Sequence, residues 1–189
     1  MNMKQKQIKI LLVIAISANI SAFSQISSGQ DFKPVSQNML NNPDPEDWLM
    51  WRGSYENWGY SPLTEINQDN VDQLRLAWSW EFAPAAPGSN GMQVEPTVYD
   101  GVIYIRHSNE KYSAHNAATG DLIWQYSRTL ALEVAGYETR LTVHRGRGVF
   151  IYEDKLISHS TDGMLFALNP RDGSLIWEVA MQDFRSGQQ

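Results

Sequence analysis

The chain has 189 residues, no cysteine, and 15 basic against 21 acidic side chains, for a formal charge of −6. That acidity speaks against a nucleic-acid partner, which selects basic surfaces. The missing thiols exclude disulfides from its stability. The four histidines and the carboxylates show none of the spacings of a zinc protease, a paired-histidine site or a calcium loop, so no metal ligand is assigned.

The first 24 residues read as a secretory signal peptide. Lys4, Lys6 and Lys9 precede an apolar run over 10–20, and the small residues Ala22 and Ser24 follow, with cleavage expected after Ser24. The run is short for a membrane span, an uncleaved N-terminal anchor is the alternative, and the chain is expected to be exported. Without the three lysines, 12 basic residues face 21 acids, a formal charge of −9. Residues 25–46 are polar and loop-like. Asn41-Asn42-Pro43-Asp44-Pro45 is a breaker cluster, and Met39-Leu40 suggests a short helical turn.

An aromatic arm comes next. Trp48, Trp51, Tyr55, Trp58 and Tyr60 fall within 13 residues, so the segment is expected to lie over something apolar. Residues 66–74 read as a short helix capped by Asn67 or Asp69, with Val71 and Leu74 facing inward. Residues 76–82 alternate apolar and polar and read as a strand. Residues 84–91 form a Pro/Gly/Ala loop, and the stretch from Met92 to Glu95 leads into the first complete repeat.

That repeat is the strongest feature. Ala114-His115-Asn116-Ala117-Ala118-Thr119-Gly120-Asp121-Leu122-Ile123-Trp124 returns as Ala167-Leu168-Asn169-Pro170-Arg171-Asp172-Gly173-Ser174-Leu175-Ile176-Trp177, offset by 53 residues. Each copy follows a β-rich stretch whose hairpin tip is Asp100-Gly101 or Glu153-Asp154-Lys155. The unit reads strand, tight turn, strand, turn, strand, and its radial repetition makes an all-β propeller. Trp124 and Trp177 are expected to wedge between successive sheets, each indole N–H tied to a backbone carbonyl. The extra length of the repeat points to an insertion over 126–147. About 165 residues would remain after cleavage, some three blades at roughly 40–45 residues each. Closed propellers need about four to eight, so the chain is expected to be the front part of a longer protein. The organisation expected is a signal peptide over 1–24, an arm with a short helix and first strand over 25–91, and incomplete propeller repeats over 92–189.

Trp51-Arg52-Gly53, then Trp58-Gly59-Tyr60-Ser61-Pro62-Leu63, then Ile66-Asn67, Asn70-Val71, Leu74 and Ala77-Trp78 resemble the N-terminal signature of PQQ-dependent (quinoprotein) alcohol dehydrogenases. The repeats resemble that family's tryptophan-docking motif, with Asn116 and Asn169 where the family has Asp. The resemblance implies a periplasmic, eight-bladed propeller. It implies pyrroloquinoline quinone (PQQ) on the axis beside a Ca²⁺ or lanthanide ion, an alcohol substrate, and hydride transfer to the quinone. A cytochrome c or membrane quinone would take the electrons. The family's cofactor-contacting Glu aligns with Gln93, three residues before Pro96, with Glu95 reached by a two-residue slip. Its cofactor-contacting Arg aligns with Arg147, whose guanidinium fork suits carboxylates and quinone oxygens. The adjacent cysteines of many members are replaced by Leu141 and Thr142. The metal ligands and the catalytic Asp fall beyond Gln189 by this alignment, so no catalytic or metal residue is assigned and the chain alone is expected to be inactive. Gln93 and the missing cysteines equally suit a non-catalytic propeller scaffold, and the exposed aromatics leave glycan binding as a third reading.

Overall fold

In the computed structural model, residues 32–81, 94–107, 110–130 and 148–181 are described. All lie within the compact unit Asp31–Gln189. The expected signal peptide, the loop over 84–91 and most of the expected insertion lie outside the described residues. Among the described residues, no helix is long and apolar enough to cross a membrane.

Two four-stranded antiparallel sheets dominate. The first orders β1 (Thr97–Tyr99), β2 (Val102–His107), β3 (Lys111–Asn116) and β4 (Leu122–Ser127) side by side. The second repeats this with β5 (Phe150–Tyr152), β6 (Lys155–His159), β7 (Met164–Leu168) and β8 (Leu175–Ala180). The β1–β2 turn is the expected Asp100-Gly101 pair, at φ +48° and +72°, the twist that lets a two-residue loop join right-twisted strands. Glu153 takes the same role between β5 and β6 at φ +50°. The expected unit had three strands, and the structure has four. Glu110, at φ +52°, lies in the turn beyond the β-rich stretch 98–105, and β3 follows it as a separate strand. Tyr126 and Ser127, expected to open the insertion, instead close β4.

Both sheets carry the same irregularity. The β3–β4 register shifts between Ala114 and His115, and the β7–β8 register shifts between Ala167 and Leu168. The turn that follows is closed by an asparagine each time. Asn116 Oδ1 accepts from the Ala118 and Thr119 amides at 2.9 and 3.0 Å, and Asn169 Oδ1 accepts from the Arg171 amide at 3.0 Å. Only an acceptor oxygen is needed there, and the asparagine amide supplies it.

The core lies between the sheets. Tyr104, Tyr112, Ala114 and Trp124 pack with Ile151, Leu156, Phe166 and Leu168, all buried. Tyr112 meets Phe166 edge-on at 5.3 Å, a geometry that aromatic quadrupoles favour. Each fully buried large side chain contributes about 1.5–3 kcal/mol. Trp124 Nε1 donates to the Pro170 carbonyl at 2.8 Å across the gap, over Gly173. Trp78 does the same one step earlier, donating to the Ala117 carbonyl at 3.0 Å over Gly120. The indole of Trp177 is half-buried.

The N-terminal segment departs most from expectation. The helical turn at Met39-Leu40 exists as α1 (Gln37–Asn41), with Ser36 as its cap. The helix expected over 66–74 shrinks to a three-residue 3₁₀ turn, Val71–Gln73, and Val71 and Leu74 are exposed. The amides explain this. Asn70 Oδ1 accepts from Asn67 N–H, Asn70 Nδ2 donates to Glu65 O, and Asn67 Oδ1 accepts from Asp69 N–H, so side chains compete with helical hydrogen bonds. Residues 76–81 of the strand expected over 76–82 pair with no strand among the described residues, although their alternation sets Trp78 and Trp80 against the first sheet. Within the aromatic block Trp48 is half-buried, but Trp58 and Tyr60 are 76% and 71% exposed. The block closes on itself through Gly59 N–H to Arg52 O instead of lying flat on an apolar face.

Candidate functional site

The arm pairs with the edge strand β1 of the first sheet and with the β5–β6 turn of the second. Val35, fully buried, exchanges two backbone hydrogen bonds with Glu153 at the β5–β6 turn. Trp48 exchanges two with Val98 on β1, at 2.8 and 2.9 Å. Asp47 Oδ1 accepts from the Asp100 amide at 3.0 Å. Burial pushes the Asp47 carboxyl above its usual range, and that amide pulls it back only in part. Tyr99 donates its hydroxyl to Lys33 O at 2.7 Å.

The arm then carries Met50 and Trp51 to the mouth of a cleft of about 240 Å³, between the lead-ins to β1 and β5. Glu95, Pro96 and Thr97 line one side, Gly148, Val149 and Phe150 the other, and His159 closes it. Thr97 Oγ1 donates to the Val149 carbonyl at 2.7 Å and clips the two lead-ins together. They approach so closely that a Cβ on Gly148 would sit 3.0 Å from the Glu95 carbonyl oxygen. Glu95 Oε1 accepts from Trp48 Nε1 and from Arg52 N–H, each at 2.7 Å. Burial, and secondarily Arg106, hold His159 below its usual pKa, so its ring is neutral near pH 7. The cleft therefore offers flat apolar walls in Trp51 and Phe150, one carboxylate and one neutral imidazole. That arrangement suits a planar ring held by a few polar groups.

Behind the cleft, Glu110 joins the sheets. Its carboxylate accepts from Arg106 Nη2 at 3.1 Å and from the Tyr112 hydroxyl at 2.9 Å within the first sheet. From the second sheet it accepts the Thr161 amide at 3.1 Å and the Thr161 hydroxyl at 2.7 Å. Tyr112 also reaches the His159 carbonyl. Arg106 and Glu110 are 3% and 1% exposed, so this is a buried ion pair whose bonds to both sheets offset its desolvation.

The other face of the first sheet carries His107, Ser113 and His115 in one hydrogen-bonded row. His115 Nδ1 lies 3.2 Å from the Gly120 carbonyl, which only accepts. In the neutral ring Nδ1 thus holds the proton, Nε2 accepts from Ser113 Oγ at 2.8 Å, and Ser113 accepts from His107 Nε2 at 2.5 Å. Trp80 packs edge-on against His115 at 4.6 Å. His115 reads from the sequence as a surface or turn residue, yet it is 1% exposed. Burial first, then His115 and Lys111, press the His107 pKa down to about 4.

Of the three sequence-assigned cofactor residues, the structure places Glu95 in the cleft. Gln93 and Arg147 lie outside the described residues. Each is nonetheless a near neighbour in sequence of a cleft-lining residue, Gln93 two before Glu95 and Arg147 immediately before Gly148. No cluster of three or more metal-ligating side chains forms among the described residues. Sequence reasoning missed Glu110 and His159. A single acid after Ser-Asn carries no spacing signal, and only the facing sheet reveals its partners.

Two sheets of this topology, joined face to face through a repeated indole, with a cleft at the heads of their first strands, define a β-propeller segment. The family model for the PQQ glucose/ethanol/alcohol dehydrogenase β-propeller domain matches residues 48–184, and the chain belongs to that family. The dehydrogenase subunit of the quinone alcohol dehydrogenase of Gluconobacter oxydans is 32% identical over 177 residues, 93% of this chain and 22% of that relative. The solved quinohemoprotein alcohol dehydrogenase ADHIIG of Pseudomonas putida superposes with a TM-score of 0.68 at 28% identity, over 80% of this chain and 22% of that one. A europium-containing methanol dehydrogenase superposes with a TM-score of 0.63 at 25% identity, over 77% and 25%. The chain thus spans about a fifth of the length of the relatives it matches.

Proposed function

We propose that this chain forms the opening blades of a periplasmic, PQQ-dependent dehydrogenase that oxidises an alcohol, exported by the signal peptide over 1–24. The observation that carries the reading is the cleft at the heads of β1 and β5. Its flat walls, Trp51 and Phe150, suit the ring system of the quinone. The cofactor is an acid, and the described lining supplies a carboxylate and an imidazole but no cation. The cation falls to Arg147, next to cleft-lining Gly148, with Gln93 and Glu95 as the further contacts. When bound, the quinone supplies the hydride acceptor. The protein's part is to hold and orient it, to wall off water with the arm, and to keep His159 neutral beside it. The accompanying Ca²⁺ or lanthanide ion is assigned to no residue of this chain, and a cytochrome c or membrane quinone is the proposed electron acceptor.

Titrating PQQ with Ca²⁺ into the purified protein while following tryptophan fluorescence tests this. Saturable quenching is expected, with Arg147→Ala weakening it about tenfold, the loss expected for a charge-assisted hydrogen bond. Absence of saturable quenching would instead favour a non-catalytic propeller scaffold. One observation already leans that way: Gln93 stands where the family's cofactor-contacting Glu would be, and an amide supplies no negative charge.

A further inference from the structure

We propose that Glu95 is a latch, a positioning residue whose carboxylate holds the 48–53 loop shut against the cleft whether or not a cofactor is present. One oxygen, Oε1, accepts two short hydrogen bonds, from the indole at the start of the loop and from the Arg52 main chain near its end. Those donors bracket Met50 and Trp51, the residues that the arm contributes to the cleft wall.

That carboxylate is one side-chain group that spans the stretch from Trp48 to Arg52. Trp51 is 46% exposed and Arg52 is exposed, so apolar burial anchors the far end weakly. Main-chain hydrogen bonds run from Gly53 N–H to Met50 O at 2.9 Å within the loop and from Gly59 N–H to Arg52 O at 3.1 Å at its far end. The backbone is also held away from its ordinary basins. Arg52 sits at φ +57° and Gly53 at φ +86°, and a non-glycine residue in the left-handed region costs about 1–2 kcal/mol. The Arg52 amide bonded to Glu95 belongs to that strained residue, so the carboxylate stabilises the conformation directly. The ring of Trp48 lies under Gly53, where an added Cβ would come within 3.0 Å of it, so the indole that donates to Glu95 also seats the turn.

The rest of the arm is fastened separately. The Trp48–Val98 backbone pair and the Asp47–Asp100 contact do not involve the Glu95 side chain. Loss of the carboxylate should therefore release 50–53 while the arm stays on β1, an opening and not an unfolding. Acceptance, not charge, is what the geometry uses. A glutamine keeps an oxygen in place, and an alanine keeps nothing.

Arg52 supplies its own reporter, because trypsin cleaves after it once the loop opens. Lys155, inside the β5–β6 hairpin, is the internal reference. In the full 189-residue protein without cofactor, Glu95→Ala should raise cleavage at Arg52 about tenfold with Lys155 unchanged. Glu95→Gln should stay within about threefold of the parent, since a charge-assisted bond is roughly twice as strong as a neutral one. Cleavage at the parental rate in Glu95→Ala, or an equal rise in both variants, would overturn the latch. If Glu95→Ala raises both sites together, Trp48→Phe, which removes one donor and keeps a ring, decides. A rise confined to Arg52 supports the proposal, and no rise rejects it. Because no cofactor enters the readout, the latch and the dehydrogenase reading can fail independently.

Discussion

Gly173 and Gly101 share a backbone conformation, φ +71° and +72°, but not a neighbourhood. A Cβ at 173 would lie 2.5 Å from Trp124 Cε3, whereas one at 101 meets nothing within 4 Å. Gly101→Ala should therefore cost only the left-handed backbone term, about 1 kcal/mol. Gly173→Ala adds displacement of a buried indole and loss of its bond to Pro170, for a total of about 3–4 kcal/mol. Urea denaturation of the two variants separates these costs, and equal midpoints would mean that the indole does not rest on Gly173. Both glycines were legible in the sequence as turn residues. The difference between them was not, because it depends on a ring 49 residues away in the chain (173 minus 124).

Strands β1, β2, β4 and their counterparts could be read from alternation, β-branched residues and Gly-marked turns. Strand β3 escapes that reading, because Lys-Tyr-Ser-Ala-His-Asn alternates but offers only Tyr112 and Ala114 as apolar positions and no β-branched residue. Its His115 and Ser113 satisfy each other on one face while Tyr112 and Ala114 fill the core on the other. The sheet-to-sheet joint also needs more than the repeated Trp. Glu110 binds side chains of the first sheet and Thr161 of the second, and its removal strands a buried guanidinium. Glu110→Ala should destabilise by about 3–5 kcal/mol. Replacing both, with Arg106→Met and Glu110→Gln, should recover part of that loss, because the amide oxygen still accepts from Tyr112 and Thr161. A double-mutant cycle in urea measures the coupling, and purely additive effects would show that the pair does not act as a unit.

For the whole molecule, acid is the sensitive direction. His107 is pressed to about 4 and His159 is also lowered, in each case by burial first, so folding favours the neutral rings. The His107 contribution is complete above the unfolded value near 6.5 and is lost as pH falls from there through about 4, and His159 acts in the same direction. Denaturant midpoints should therefore decline steadily from pH 7 to pH 4.5, and His107→Gln should flatten the slope. An unchanged slope in that variant would remove His107 from the account. Family membership was legible at this scale because the arm signature and the repeats recur as patterns. The arm's path was not legible, since Val35 and Trp48 find their partners on different sheets, and nothing local in sequence names them.

The pairing of Val35 with Glu153 has a consequence for synthesis. The two lie 118 positions apart (153 minus 35), so at about 5–20 residues per second the ribosome needs roughly 6–24 s to deliver the second after the first. During that interval Val35 and the amides beside it stay solvated or in the keeping of a chaperone. The stretch translated before either sheet is among the last to lock, and any delay in releasing the β5–β6 hairpin lengthens its exposure to proteases.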